Sequence, residues 1–196
     1  TENNDYRPVA LTSVVMKCLE KIVLKRLWDP LAQHVDPLQF AYQPKKSVED
    51  AVLTLTHLAQ QHTDGSGKYA RITFIDFSSA FNTMVPVKLI EKLMQFGVNP
   101  TLTLWISDFL HDREQQVAVS GTLSEKLTTN IGSPQGCVLS PILFVLYTND
   151  CQSIFSDTYI LKYADDTALI GLIKNNDAVY VQAVNTFVTW CDDNCL

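Results

Sequence analysis

At 196 residues and 46% hydrophobic, the chain is long and apolar enough to bury a core, which excludes an intrinsically disordered segment. A net charge of −6 argues against a free-standing basic nucleic-acid binder, and the charge is uneven: residues 1–62 carry seven basic and seven acidic side chains, residues 63–196 eight and fourteen. The longest apolar run, near Cys137–Tyr147, is about eleven residues, too short to span a bilayer, and contains Ser140 and Pro141. Five scattered cysteines suit reduced thiols better than a disulfide framework, and neither they nor the four histidines show zinc-ligand spacing.

In chain order, Arg7 precedes Pro8 and is held extended by it. Thr12 or Ser13 can cap a helix in which Val15, Leu19, Ile22, Val23 and Leu27 recur at helical spacing to about Trp28. Lys17, Lys21 and Lys25 lie four apart on another face, either solvated or lying along a phosphate backbone. A loop follows, with two prolines and the Lys45-Lys46 pair; Ser47 and Asp50 then form a capping box for a helix ending near His62. Gly67-Lys68 lacks the spacing of a phosphate loop and reads as a turn. From Ala70 to Phe77, alternation with both faces largely apolar predicts a covered central strand, delivering Asp76 at its end with Ser78–Phe81 as the turn beyond. Helices are expected near Val87–Phe96 and Thr101–His111, and a hairpin from Gln115–Ser120 and Lys126–Ile131 through Gly121. Gly132, Pro134 and Gly136 stiffen a turn that opens an apolar helix, Val138–Tyr147, which Asp150 closes. In YILKYADDTALIG, apolar β-formers flank Asp165-Asp166, so the pair belongs at a hairpin tip; a last helix covers about Asn176–Cys191, with Asp192-Asp193 solvated at its end.

The chemistry lies in the carboxylates. Two like charges about 4 Å apart repel by roughly 4 kcal/mol at an effective dielectric near 20, so a fold that keeps both ionised needs a cation between them. A carboxylate at the end of a buried strand is likewise costly unless paired or metal-bound. If the Asp76 strand neighbours the hairpin in one sheet, three carboxylates converge on a two-metal site of the kind that clamps the oxygens of phosphoryl transfer.

FIDFSSAFN, GSPQGCVLSPILF and YADD, in this order, resemble the three catalytic motifs of reverse transcriptases. NNDYRPVAL and QFAYQPKKSVEDAV resemble finger motifs of the non-LTR, LINE-type branch, and FSSAFNT, SPQGCVLSP and WCDDNCL are similar to animal elements of the jockey, RTE and CR1 kind. The resemblance implies an α+β right-hand polymerase fold: mainly helical fingers over residues 1–68 and, over 69–196, a palm of antiparallel sheet with packed helices, cut at both ends from a longer protein, the thumb and endonuclease being supplied in cis. It implies RNA-directed DNA polymerase activity, a nucleotidyl transfer that adds dNTPs to a DNA primer on an RNA template. The cofactor implied is two Mg²⁺ ions, with Mn²⁺ as a substitute. Asp76 and Asp165 would be the principal metal ligands, with Asp166 beside them and the Phe77 carbonyl as a further oxygen. Phe81 matches the gate against a 2′-hydroxyl, Gln135 the nucleotide pocket, Arg7 a triphosphate contact, Tyr163 the primer end, and Lys45 and Lys46 template-backbone contacts. Gln43 stands where relatives often carry a basic residue, removing one backbone contact. The implied setting is intracellular, with action in the nucleus, assembly in the cytoplasm and no membrane. The alternative is a decayed or domesticated fragment that folds and binds nucleic acid or a protein partner without catalysis.

Overall fold

The structure, a computed structural model, describes residues 9–77 and 79–196. In chain order its elements are α1 (Val14–Leu31), α2 (Val48–Asp64), β1 (Tyr69–Ile75), α3 (Ala80–Thr83), α4 (Pro86–Gln95), α5 (Pro100–Leu110), β2 (Arg113–Gln115), β3 (Ala118–Val119), β4 (Thr122–Leu123), β5 (Leu127–Thr129), α6 (Ser140–Tyr147), β6 (Thr158–Tyr163), β7 (Asp166–Ile173) and α7 (Ala178–Asn194). It is a mixed helix-and-sheet fold. Among the described residues two compact units interleave along the sequence: one takes 9–33 and 81–143, the other 34–77, 79–80 and 144–196.

The second unit is built on an antiparallel sheet of order β1-β7-β6. Alternation sends successive side chains to opposite faces, and each face gets a helix. On one face, Leu161 and Ile170 pack with Phe40 and with Leu55 and Leu58 of α2. On the other, Ile160, Leu169 and Ile173 pack against Tyr180, Ala183 and Phe187 of α7. Gly171 makes the α7 packing possible, because a Cβ there would sit 2.3 Å from the Tyr180 ring. Tyr180 in turn shares a 2.5 Å hydrogen bond with the Thr73 hydroxyl.

The strand carrying Asp76 is a correction to the sequence reading. Among the described residues β1 pairs only with β7, so it is an edge strand there and not a central one. Its side chains are half exposed, and Phe74 is 74% exposed. An apolar alternation reports which faces are covered, not whether a strand has neighbours on both sides. Arg71, on the exposed edge, pairs with Asp177 and lies over the Tyr180 ring, the charged guarding usual for edge strands.

The first unit contains α1, α4, α5 and two short ribbons, β2 with β5 and β3 with β4. Ser120 (φ 50°) and Gly121 (φ 80°) both adopt the left-handed backbone that closes a two-residue hairpin between β3 and β4, so the single hairpin expected from Gln115–Ser120 and Lys126–Ile131 is instead two short ribbons, with Ser120 in the turn. α1 begins where expected: Ser13 accepts the Met16 N–H. Its buried stripe differs, however. Glu20, Val23, Leu27 and Leu31 are buried, while Val15 and Ile22 are 80% and 58% exposed. On the buried side Glu20 Oε2 accepts the Leu139 N–H, 3.0 Å away, just before α6. Among the described residues, no helix is long and apolar enough to cross a membrane.

Candidate active site

The hairpin tip is as the sequence predicts. β6 and β7 close with the pair Tyr163↔Asp166, leaving Ala164 and Asp165 as a two-residue turn. Ala164 has φ 57°, the left-handed conformation that usually calls for glycine and costs an alanine roughly 1–2 kcal/mol. It is only 7% exposed, and its N–H is held by Gln39 Oε1 at 3.3 Å. Asp165 is half-buried and Asp166 exposed.

β1 and β7 are antiparallel, and their last pair is Ile75↔Thr167. Asp76 follows Ile75 and Asp166 precedes Thr167, so the register brings both carboxylates to the same end of neighbouring strands. Both line one cleft of about 360 Å³, walled by Val48, Ala51, Val52 and Leu55 of α2 together with Phe74 and Tyr163. Near it, the Tyr42 hydroxyl is pushed above its ordinary pKa, first by burial and then by the negative charge of Asp165. Tyr42 is therefore a neighbour of the turn that the sequence pattern does not single out.

Among the described residues, no group of three or more His, Cys, Asp and Glu side chains is gathered closely enough to hold a metal ion. The donors present nevertheless suit a hard divalent cation. Mg²⁺ is usually held by one or two carboxylates, with substrate phosphates and waters completing its shell. Two carboxylate residues facing one cleft, with a third in the adjoining turn, match that incomplete set. Burial pushes the Cys151 thiol to about 12 and the Cys191 thiol to about 11, so neither is a thiolate near neutral pH.

Beneath the hairpin is a buried ion pair. Lys162 Nζ lies 2.8 Å from the Asp36 carboxylate, and both side chains are nearly inaccessible. The ammonium also donates to the carbonyls of Thr148 and Cys151 at 2.8 and 2.7 Å. Asn149 Oδ1 accepts the Asp36 N–H at 2.7 Å, and Asn149 Nδ2 donates to the His34 carbonyl. The partner of this mid-strand lysine lies 126 residues earlier and is revealed only by the tertiary fold.

Of the remaining site residues predicted from sequence, Arg7 lies outside the described residues, as does Ser78 of the expected turn. The Phe77 side chain packs on Phe187, ring centroids 6.2 Å apart, in the α7 core. Lys46 folds back: its ammonium donates to the Pro37 and Gln39 carbonyls at 2.7 and 2.9 Å and lies over the Phe40 ring. Lys45, next to it, is exposed at φ 62°.

Phe81 and Gln135 belong to the first unit, where backbone bonds tie their segments together. The Phe81 carbonyl accepts the Ser133 N–H, and the Met84 carbonyl the Gly132 N–H, each at 2.7 Å. Arg113 donates to the carbonyls of Ile131 and Gly132 at 2.6 and 2.9 Å. The Gln135 carbonyl accepts the Ala10 N–H at 2.7 Å. Gly132 is required twice over: φ is 71°, and a Cβ would stand 2.7 Å from the Phe81 carbonyl oxygen. Gly132→Ala should therefore destabilise the chain by about 1–3 kcal/mol, measurable as a lowered urea midpoint. An unchanged midpoint would mean that the turn is free to shift.

A family profile described as reverse transcriptase (RNA-dependent DNA polymerase) matches residues 1–196. Among curated proteins, the chain is 29% identical over 199 residues to the probable RNA-directed DNA polymerase from transposon BS of Drosophila melanogaster, covering 95% of this chain and 22% of that protein. It is 32% identical over 176 residues to the Pol polyprotein from the type-1 retrotransposable element R1 of Bradysia coprophila, covering 87% and 17%. The chain thus spans about a fifth of the length of these relatives. Among solved structures, telomerase from Candida albicans superposes with a TM-score of 0.62 at 14% identity, covering 91% of this chain and 33% of that one, a likeness of fold.

Proposed function

Since the chain belongs to the reverse transcriptase (RNA-dependent DNA polymerase) family, we propose that it is the polymerase domain of a LINE-type retrotransposon protein, adding dNTPs to a primer 3′-hydroxyl on an RNA template. The observation that carries this reading is the β1–β7 register, which puts Asp76 and Asp166 at one end of neighbouring strands beside the Asp165 turn. In this reading residues 1–68 contribute to the fingers and residues 69–196 to the palm.

Asp76, Asp165 and Asp166 would hold Mg²⁺, with Mn²⁺ as a substitute and the Phe77 carbonyl as a further oxygen. When bound, paired ions supply charge stabilisation to the attacking and leaving oxygens of nucleotidyl transfer. The chain's own part is to hold the carboxylates in place: β1 and the β6–β7 hairpin are fixed by their shared sheet and by cores on both faces. Tyr163, closing the turn, would support the primer end. By motif position, Phe81 would bar a 2′-hydroxyl, Gln135 would contact the incoming nucleotide, and Arg7 would meet its triphosphate. With the Lys46 ammonium committed to carbonyls, template-backbone contact falls chiefly to Lys45, and Lys46 shapes the loop that presents it. RNA template, DNA primer and the remaining domains of the parent protein are the partners, and action on nuclear DNA follows cytoplasmic assembly.

The test is primer extension on poly(rA)/oligo(dT) with dTTP and Mg²⁺. Template-dependent DNA synthesis is expected; its absence in a folded, full-length preparation would favour the non-catalytic reading. Phe81→Ala should raise the use of ribonucleotides relative to deoxyribonucleotides about 10²-fold, because removing a bulky side chain abolishes a steric rejection. Unchanged sugar selectivity would remove Phe81 from the gate.

A further inference from the structure

Taking Asp165 as part of the nucleotidyl-transfer site, we propose that Gln39 is a positioning residue for that site: its side-chain carbonyl holds the turn residue Ala164 in the left-handed conformation that sets where Asp165 stands.

The turn has an intrinsic weakness. Its first residue is alanine at φ 57°, and an alanine left alone relaxes towards the right-handed or extended regions. Such relaxation would swing the next residue, Asp165. Gln39 opposes it from a fixed base. Gln39 meets β6 through an isolated parallel bridge to Lys162: Phe40 N–H donates to the Lys162 carbonyl and Lys162 N–H to the Leu38 carbonyl, both at 2.8 Å. The Gln39 carbonyl is itself held by Gln43 Nε2 and Lys46 Nζ at 2.5 and 2.9 Å. From this anchored backbone the side chain, in a residue only 1% exposed, offers Oε1 to the N–H groups of Ala41 and Ala164 at 2.9 and 3.3 Å.

The other end of the same amide argues for a selected role. Gln39 Nε2 is buried without a hydrogen-bond partner among the described residues. A buried unsatisfied donor is destabilising and calls for a reason. Glutamate would supply the same acceptor without the orphan donor, but it would carry a charge into a position that is 1% exposed, where ionisation costs more than an orphan amide N–H. Glutamine is the side chain of this length that accepts from Ala164 and stays neutral.

The experiment uses the full chain. Hydrogen exchange should find the Ala164 amide protected in the unmodified protein, protected in Gln39→Glu, and unprotected in Gln39→Ala, with no metal or substrate present. In primer extension, Gln39→Ala should lower kcat about 10–100-fold, the usual effect of removing a support behind a metal-binding group, with the dNTP KM unchanged. Adding Ala164→Gly should restore most of that kcat, since glycine adopts the left-handed backbone without help. It should not restore the melting temperature, because the Ala41 N–H remains unsatisfied. A merely structural Gln39 would give no such rescue, and additive kcat losses in the double variant would overturn the proposal, as would unchanged Ala164 exchange in Gln39→Ala. If the unmodified chain makes no DNA while Gln39→Ala still exposes the Ala164 amide, the polymerase reading falls and the support of the turn by Gln39 stands.

Discussion

Asp165→Asn is expected to reduce primer extension about 10³-fold, a loss of roughly 4 kcal/mol of transition-state stabilisation, while leaving the melting curve in place. Asparagine keeps the size of the side chain and removes the charge, with one acceptor oxygen replaced by an NH₂ donor. The turn itself is set by the Tyr163↔Asp166 pair and by the hold on Ala164, neither of which uses the Asp165 carboxylate. The change therefore separates chemistry from folding. Asp76→Asn should behave in the same way, because Asp76 is exposed just beyond the β1 ladder. Extension that survives Asp165→Asn would remove that residue from the metal site. A lowered melting temperature accompanying the loss would assign its role to the fold.

Lys162→Met is expected to do the opposite. Breaking a buried ion pair on one side leaves an uncompensated charge, at a cost of about 3–5 kcal/mol. Here the Asp36 carboxylate would lose its partner, and the Thr148 and Cys151 carbonyls their donor. That is a large fraction of the ~5–15 kcal/mol by which a domain of this size is stable. Urea denaturation should show a much lower midpoint, with activity falling in step with folded protein. Adding Asp36→Asn, which removes the orphan charge, should recover part of the loss. Equal stability of the single and double variants would show that the pair carries no electrostatic coupling.

The local features were legible in the sequence. The Ser47–Asp50 capping box is formed as read, with Asp50 Oδ2 accepting the Ser47 N–H at 2.8 Å. The hairpin bearing Asp165-Asp166 is also where β-formers and turn residues put it. These signals act over a few residues, where spacing and backbone preference decide the outcome. What was hidden depends on partners far along the chain. The edge position of β1 follows from its pairing, among the described residues, with β7 alone. On the buried side of α1 Glu20 meets Leu139, and a lone glutamate on an amphipathic helix gives no sign of it. Lys162 and Gln39 look like ordinary polar residues until the fold buries them against Asp36 and Ala164. Lys46 shows the same limit in reverse: a basic pair in a loop suggests phosphate, but the structure commits one of its two ammonium groups to carbonyls.

The central claim is that Asp76 and the hairpin carboxylates form one cation site. Its most direct test is Mn²⁺ binding, followed by electron paramagnetic resonance, in the unmodified chain and in Asp76→Asn and Asp165→Asn, with primer–template and dNTP present. Saturable binding is predicted in the unmodified protein and should be weakened at least about tenfold by either substitution alone, since each removes a ligand from the same ion shell. Binding that either substitution leaves intact would contradict a shared site.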